Sequence, residues 1–292
     1  MDQAEKLRNV IKRQNQTQKL KSRVITITSG KGGVGKSNVA VNLAIQFTKL
    51  GKRVLIFDAD FGLANVEVMF GTIPQYNVGD LIYRGKNIQE IITRGPMGIG
   101  FVSGGSGIMK LNNLARDQVL YFVKCLKELD EYADIIIIDT GAGVSDQVLE
   151  FVMASPEILL ITTPEPSSLT DSYSLLKALY RNPSFLREET RIRMISNRVT
   201  SYEEGKIIYN KLNSVVQQFL DGELEYLGMI PQDAMLDKSV RQQKTVSINA
   251  PGSKSARAFE TMAANLISGD EGQIKLHWGI SQLFSDFFKY RN

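Results

Sequence analysis

Residues 30–37 have the composition of a phosphate-binding loop. They read Gly-Lys-Gly-Gly-Val-Gly-Lys-Ser and fit the pattern G-x-x-x-x-G-K-[ST]. Glycines let the backbone curl so that successive N–H groups face one centre, where they bind phosphate oxygens. In this pattern Lys36 reaches the β- and γ-phosphates, and the hydroxyl of Ser37 binds Mg2+. The predicted phosphate-contacting residues are Gly30, Lys31, Gly32, Gly33, Val34, Gly35, Lys36, Ser37 and Asn38.

The flanking residues supply the elements that would hold this loop. Residues 24–28 predict a buried strand, and residues 38–50 predict a helix with one apolar face. The helix N-terminus adds partial positive charge beside the phosphates. A plain glycine-rich turn between a strand and a helix is the alternative, and the full motif in this context argues against it.

Carboxylates follow two further predicted strands. Asp58 and Asp60 come directly after residues 53–57, and Asp139 follows the aliphatic run at residues 135–138. Parallel strands place their carboxyl ends at one edge, where α/β sheets bind ligands. Asp139 is therefore placed to hold Mg2+ together with Ser37. The alternative is that these aspartates cap turns at strand ends.

Lys31, directly after the first glycine, is the departure from an ordinary phosphate-binding loop. The sequence G-K-G-G-V-G-K-S resembles the deviant Walker A motif of the MinD/ParA family. The resemblance implies an ATP hydrolase in which Lys31 crosses a dimer interface to the partner's phosphates and acts catalytically with Lys36 and Asp60. The alternative for Lys31 is a solvated surface charge.

The same resemblance implies roles for several other residues. Asp58 would hold Mg2+ through water, and Asp60 would orient the attacking water. Gly141 and Gly143, after Asp139, would form the switch II loop and allow it to rearrange when the γ-phosphate leaves. The expected base contacts are Asn197, Arg198, Pro231, Gln232 and Asp233. Plain turns at these last positions remain an alternative.

Residues 1–22 are predicted to form a flexible basic segment that binds a partner. The opening D-Q-A-E-K-L-R resembles the D-Q-A-x-x-L-R motif of the flagellar-number regulators FlhG, FleN and YlxH, a MinD-like branch. The resemblance implies stimulation of the signal-recognition-type GTPase FlhF. The expected contact residues are Asp2, Gln3, Ala4, Leu7 and Arg8. A disordered basic tail in the free protein is the alternative.

Residues 269–292 are predicted to form a hinge and an amphipathic helix. The spacing of apolar residues over 274–290 gives one apolar stripe, opposed by polar residues. Such a stripe fits a helix lying in the plane of a membrane, which the resemblance favours, or a helix docked on the core. The expected membrane contacts, with anionic lipid, are Ile280, Leu283, Phe284, Phe287 and Phe288.

Composition limits the alternatives. The 292 residues are 43% hydrophobic, with a net charge of +4, which is too mild to predict nucleic-acid binding. One cysteine, Cys125, and one histidine, His277, are too few for a disulfide, a cysteine or histidine-rich metal site, or a shared metal cluster in the usual form. We expect neither a signal peptide nor a membrane span.

These patterns predict an α/β, three-layer P-loop NTPase with a mostly parallel sheet of about seven or eight strands. We divide the chain into residues 1–22, an ATPase domain at 23–268, and the terminal segment 269–292. The expected function is an ATP- and Mg2+-dependent homodimeric switch that regulates flagellar number and placement. It would be cytoplasmic and, with ATP, peripheral on the inner face of the membrane.

Its expected partners are a second copy, FlhF, components of the flagellar basal body or switch, and anionic lipid, with no nucleic acid. Three alternatives stay open. The chain could be a ParA-like DNA-partition ATPase, a MinD-like cell-division-site ATPase, or a nucleotide-binding scaffold without turnover.

Overall fold

Eight strands form a single sheet. The computed structural model describes residues 21–60, 65–105, 116–269 and 279–289. The strands are β1 (Arg23–Thr28), β2 (Val54–Ala59), β3 (Thr93–Arg94), β4 (Gly100–Ser103), β5 (Ile135–Thr140), β6 (Glu157–Thr162), β7 (Arg191–Val199) and β8 (Glu225–Pro231). Their spatial order is β3-β4-β2-β5-β1-β6-β7-β8, and only the pair β3–β4 is antiparallel. The predicted mostly parallel sheet is confirmed.

Helices cover both faces of the sheet. They are α1 (Lys36–Lys49), α2 (Asn65–Phe70), α3 (Val78–Tyr83), α4 (Ile88–Ile91), α5 (Arg116–Lys127), α6 (Asp146–Met153), α7 (Pro166–Arg181), α8 (Tyr202–Leu220), α9 (Ala234–Arg241), α10 (Val246–Asn249), α11 (Lys254–Ser268) and α12 (Ile280–Lys289). Helices α1 and α11 pack on one face, while α5, α6, α7, α8 and α12 pack on the other. The strands β2, β5 and β6 are buried throughout, because helices lie on both sides.

Helix α12 lies inside the hydrophobic core. The ring of Phe284 contacts Phe57 of β2, Phe122 of α5 and Phe151 of α6, with centroid separations of 5.1, 5.2 and 5.4 Å. The expected membrane contacts Ile280, Leu283, Phe284, Phe287 and Phe288 are all buried, at 8% exposure or less. They cannot reach lipid in this conformation. Their membrane role stays a prediction, and it requires the helix to leave the core.

The start of β1 and the start of α12 meet at Asp130. The carboxylate of Asp130 accepts a hydrogen bond from the backbone N–H of Ser22 at 3.3 Å and another from that of Ile280. A Cβ on Gly279 would lie 2.4 Å from the same carboxylate, so a glycine is needed there. The Ser22 hydroxyl also donates to the carbonyl of Ala133 at 2.7 Å. The N-terminal and C-terminal segments therefore enter the fold at one point.

Two elements between residues 60 and 100 escaped the sequence patterns. Helix α2 and the two-residue strand β3 are too short to show a periodicity, and β3 is defined by its pairing with β4. Several predicted features lie outside the described residues. They are Asp2, Gln3, Ala4, Leu7 and Arg8, most of the hinge at 269–272, and the first residues of the predicted terminal helix. In the described parts of the chain, no helix is long and apolar enough to cross a membrane.

Candidate nucleotide-binding site

The phosphate-binding loop connects β1 to α1, as predicted. Gly33 and Gly35 have φ values of 75° and 101°, a backbone conformation that side chains with a Cβ disfavour. Helix α1 begins at Lys36, directly after Gly35, and no side chain caps its N-terminus. The first N–H groups of a helix have no partner within it, so those of α1 remain free to bind phosphate.

Gly30 fixes the loop against α7. A Cβ at this position would lie 2.1 Å from the carbonyl carbon of Asp171, which belongs to the backbone of that helix. Only glycine permits this approach, because neither backbone can give way cheaply. The first residue of the loop therefore packs directly against the backbone of α7.

Asp58 and Asp139 lie side by side at the carboxyl edge of β2 and β5, where they are paired in register. Asp58 accepts hydrogen bonds from the backbone N–H groups of Asp60 and Val66. Burial and the neighbouring charge of Asp139 raise the pKa of Asp58. Burial also raises the pKa of Asp139, although the Ser37 hydroxyl and the Lys36 ammonium oppose the rise. Two adjacent buried carboxylates require a cation or a proton.

The residues present fit a magnesium ion. Asp139 is fully buried, and within the described residues neither of its carboxylate oxygens has a hydrogen-bond partner of good geometry. No group of three or more His, Cys, Asp or Glu side chains in those same residues forms a metal site. Mg2+ that is bound mainly by water and nucleotide phosphates needs only one or two protein ligands, so Asp139 and Ser37 would suffice. Asp58 would then contact the ion through a bound water, as predicted.

Lys36 lies among the acidic groups of the site. Its side chain is largely buried, and this burial lowers the pKa of the amine, while Asp139 and Asp60 oppose the effect. Asp60 accepts a hydrogen bond from the amide of Asn65 at 2.9 Å, which orients the carboxylate. A buried ammonium is costly unless anionic groups surround it, so Lys36 is poised to take a phosphate partner.

The predicted switch II loop is attached to the phosphate-binding loop. Gly143 has a φ of 92°, and its N–H donates to the carbonyl of Ser29 at 3.0 Å. A Cβ at Gly141 would lie 3.7 Å from a carboxylate oxygen of Asp60. Residue 143 is therefore bonded to the residue that precedes the phosphate-binding loop, and helix α6 begins three residues later at Asp146.

Lys31 contacts its own chain rather than standing free in solvent. Its ammonium donates to the carboxylate of Glu165 and to the hydroxyl of Ser167, both at 2.7 Å. Both residues lie at the start of α7, and the pair is partly exposed. Lys31 is thus a partly exposed charge in a surface ion pair, and its contact with a partner's phosphates remains a prediction. No local pattern in the sequence indicates this ion pair.

A cavity of about 430 Å³ adjoins the loop and collects the predicted base contacts. It is lined by Gly35, Asn38, Asn197, Arg198, Pro231, Gln232, Asp233, Leu236, Asp237, Val240 and Arg241. The last four residues belong to α9 and were not among the predicted base contacts. Their one signal in the sequence was position, because they closely follow the predicted contacts at residues 231–233.

Asp233 and Asn197 already have partners in the protein. Asp233 caps α9 by accepting from the N–H of Met235, and it also accepts from the hydroxyl of Ser255 at 2.7 Å. Asn197 donates from its amide to the carbonyl of Val34 in the phosphate-binding loop. The structure brings both residues to the cavity, and their contact with a base remains a prediction.

Comparison with known proteins agrees with this geometry. Residues 25–246 match the model of the CobQ/CobB/MinD/ParA nucleotide binding domain. The chain is 38% identical over 245 residues to the antiactivator FleN of Pseudomonas aeruginosa, which covers 84% of this chain and 86% of that protein. It is 32% identical over 281 residues to the flagellum site-determining protein YlxH of Helicobacter pylori, covering 92% and 90% of the two chains.

Solved structures share the fold. The MinD protein from Pyrococcus horikoshii, complexed with Mg-ADP, has a TM-score of 0.65 and 24% identity, covering 87% of this chain and all of that one. MinD in the MinC:MinD complex of Aquifex aeolicus has a TM-score of 0.66 and 22% identity, covering 87% and 98%. At this level of identity the structures establish the architecture alone.

Proposed function

Because the chain belongs to the CobQ/CobB/MinD/ParA family of nucleotide-binding proteins, we propose that this P-loop ATPase is a switch that regulates the number and placement of flagella. ATP with Mg2+ is its nucleotide. The support for a flagellar role is the identity to FleN and YlxH over most of the chain. The observation that carries the switch is structural: helix α6 joins the nucleotide site to the buried helix α12.

One end of helix α6 lies next to the nucleotide site, and the other end packs against helix α12. It begins at Asp146, shortly after Gly143, whose N–H is bound to Ser29 at the start of the phosphate-binding loop. At its other end Phe151 packs against Phe284 and Phe287, with a centroid separation of 4.3 Å from Phe287. A shift of the switch II loop that moves α6 would therefore disturb the packing of α12.

The active form in this proposal is a homodimer. Lys31 leaves Glu165 and Ser167 and binds the phosphates held by the partner chain. The ion pair that Lys31 leaves is partly exposed, and such pairs contribute little to stability because water and salt screen them. The bonds to carboxylate and to phosphate are both charge-assisted, but a bond enclosed in a dimer interface is screened less by water and salt than the exposed pair that it replaces, so the exchange would favour pairing. Nucleotide state would then decide whether the chain is single or paired.

Pairing and release of α12 together would bring the chain to the membrane. The apolar side chains that pack α12 into the core are the same ones predicted to contact anionic lipid, so docking and lipid binding exclude each other. Two released helices on one dimer bind far more tightly than one, because the second binds at high effective concentration. The chain would thus be cytoplasmic when unpaired and peripheral on the inner face of the membrane when paired.

The remaining partners rest on the terminal segment and the relatives. Residues 1–22 would bind and stimulate the GTPase FlhF through Asp2, Gln3, Ala4, Leu7 and Arg8. Components of the flagellar basal body or switch would be the further targets, and nucleic acid would not be one. The domain division at residues 22 and 268 belongs to this proposal.

Flotation with liposomes tests the switch. Asp60→Ala should bind ATP, fail to hydrolyse it, and accumulate as dimers that float with anionic vesicles, whereas the ADP-bound protein should stay at the bottom. A second variant that lacks residues 279–292 should dimerise and not float. Asp60→Ala that remains single with ATP would contradict the pairing step, and flotation of the truncated dimer would contradict the role of α12.

Cells test the biological role. Loss of the chain should change the number or position of flagella in electron micrographs, and Lys36→Gln should reproduce that phenotype. ATP-dependent retention of DNA with a steep salt dependence, together with normal flagella, would favour a partition function instead.

A further inference from the structure

A bulge in β7 directs one side chain toward the phosphate-binding loop. The register between β7 and β8 shifts between Asn197 and Val199, and Arg198 has a φ of 58°, in the left-handed region. Non-glycine residues adopt this conformation rarely, and such local strain clusters at functional sites. The consequence here is that Asn197, at the bulge, is almost completely buried and faces the loop that precedes α1.

The amide of Asn197 bridges the two elements. Its Nδ2 donates to the carbonyl oxygen of Val34 at 2.7 Å, and its Oδ1 accepts from the N–H of Arg198 at 2.8 Å. Val34 is itself 2% exposed, so water does not compete for this carbonyl. A buried hydrogen bond of this kind fixes orientation, because leaving either group unpaired is unfavourable.

The orientation of that carbonyl sets the direction of a donor. Val34 C=O and Gly35 N–H belong to one peptide unit, which is planar and trans, so the two groups point in opposite directions. Anchoring the carbonyl on Asn197 therefore turns the Gly35 N–H away from Asn197. In a loop of this sequence the backbone N–H groups bind the phosphates.

Gly35 makes the approach possible. It has a φ of 101°, and a Cβ at this position would lie 2.5 Å from Nδ2 of Asn197. The glycine thus serves two needs at once, the backbone conformation and the space for the amide. We propose that Asn197 is a positioning residue for phosphate binding, which acts through the Val34–Gly35 peptide rather than only through the base.

A positioning role for Asn197 and a base contact predict different losses of nucleotide affinity when the residue is replaced. If Asn197 acts through the loop, removing its amide weakens the binding of every nucleotide by the same factor, whatever the base. If it acts only on adenine, its loss erases discrimination between bases and leaves the phosphates held as before. The inference rests on nucleotide binding alone and is independent of pairing, membrane binding and the flagellar role.

The experiment compares Asn197→Ala with Ser196→Ala in the full chain. Ser196 is the preceding residue, is fully buried, and donates to the carbonyl of Gly205 at 2.9 Å, so its variant loses a comparable buried hydrogen bond away from the loop. The dissociation constants of ADP and inosine diphosphate, which differ only in the base, are measured by calorimetry with Mg2+. Thermal melting of the nucleotide-free protein is recorded for each variant.

We expect Asn197→Ala to weaken the binding of ADP and of inosine diphosphate by the same factor, about tenfold for the loss of one hydrogen bond. The ratio of the two affinities should stay unchanged. Ser196→Ala should lower the melting temperature similarly and keep wild-type affinities. Amide hydrogen exchange at residues 34–36 in the ADP complex should accelerate only in Asn197→Ala. A loss confined to ADP, unchanged affinity for both nucleotides, or an equal loss in Ser196→Ala would each overturn the proposal.

Discussion

The side chain of Phe122 offers a way to release α12 without altering that helix. Both ring contacts of Phe122 in the described structure are with α12, at 5.2 Å to Phe284 and 6.3 Å to Phe288, each nearly perpendicular. Phe122→Leu removes these contacts and leaves the apolar stripe of α12 intact. A substitution within the stripe would weaken docking and lipid binding together and could not separate them.

The size of the effect follows from the two ring pairs. An edge-to-face pair contributes about 0.5–1.5 kcal/mol beyond the area it buries, and leucine retains most of the buried area. Two such pairs amount to about 1–3 kcal/mol of docking free energy. A loss of about 1–2 kcal/mol, in the lower half of that range, shifts the ratio of released to docked helix by about 5- to 30-fold toward release. With ADP bound, the affinity of Phe122→Leu for anionic vesicles should therefore exceed that of the wild type by about the same factor.

The assay is flotation with vesicles of phosphatidylcholine and phosphatidylglycerol, and its control is Phe47→Leu. Phe47 lies on α1, is fully buried, and belongs to the core on the opposite face of the sheet. The Phe47→Leu variant should lose about as much stability as Phe122→Leu and should keep the wild-type level of flotation. Hydrogen exchange at the amides of α12 reports release directly. Faster exchange in Phe122→Leu without any gain in flotation would refute the reasoning, since the helix would then be free and indifferent to lipid.

Three further substitutions probe the nucleotide site. Lys36→Gln removes the ammonium that lies near Asp60 and Asp139 and should weaken ATP binding by at least tenfold in calorimetry, because charged hydrogen bonds contribute about 1.5–3 kcal/mol each; wild-type affinity would contradict its phosphate role. Asp139→Asn should stabilise the Mg2+-free protein at pH 8 by up to about 3 kcal/mol, since burial raises the pKa of this carboxyl to about 6 from an ordinary value near 4. The folded state then binds the proton more tightly than the unfolded state, so wild-type stability falls as pH rises from about 4 to 6. Melting curves of the variant should show a smaller fall, since the buried carboxyl of Asp58 still titrates. Glu165→Gln removes the ion pair of Lys31 and leaves its hydrogen bond to Ser167, so it should lower the protein concentration needed for ATP-dependent dimers by up to about fivefold in sedimentation. Weaker dimers would mean that Glu165 itself contacts the partner.

Long apolar runs made the centre of the fold predictable. β2, β5 and β6 contain continuous apolar runs, β1 has apolar residues interrupted by Thr26, and polar residues stand at the carboxyl ends of all four. Such runs are typical of strands buried on both faces, and they end where the ligand binds. β3 could not be found this way, because a two-residue strand depends on its partner β4 and has no pattern of its own.

The site shows the same division between local and long-range information. The loop at residues 30–37 and the aspartates at strand ends carry their chemistry in adjacent residues. The contact of Lys31 with Glu165 joins positions 134 apart, and that of Asn197 with Val34 joins positions 163 apart, so no local pattern reports either. An apolar stripe likewise predicts that α12 is covered by something apolar without saying whether protein or lipid covers it.

Ser22 and Gly279 lie together at Asp130, and this proximity allows movement of α12 to be measured as a distance from β1. Ser22 is held beside the start of β1, in the centre of the sheet, whereas Gly279 moves with α12 if that helix departs. A donor fluorophore at residue 21 and an acceptor at Ser285, a half-buried residue about 9 Å along α12 from Gly279, would start a short distance apart. The distance between them would then record each departure and return of the helix in real time, against a strand that stays still.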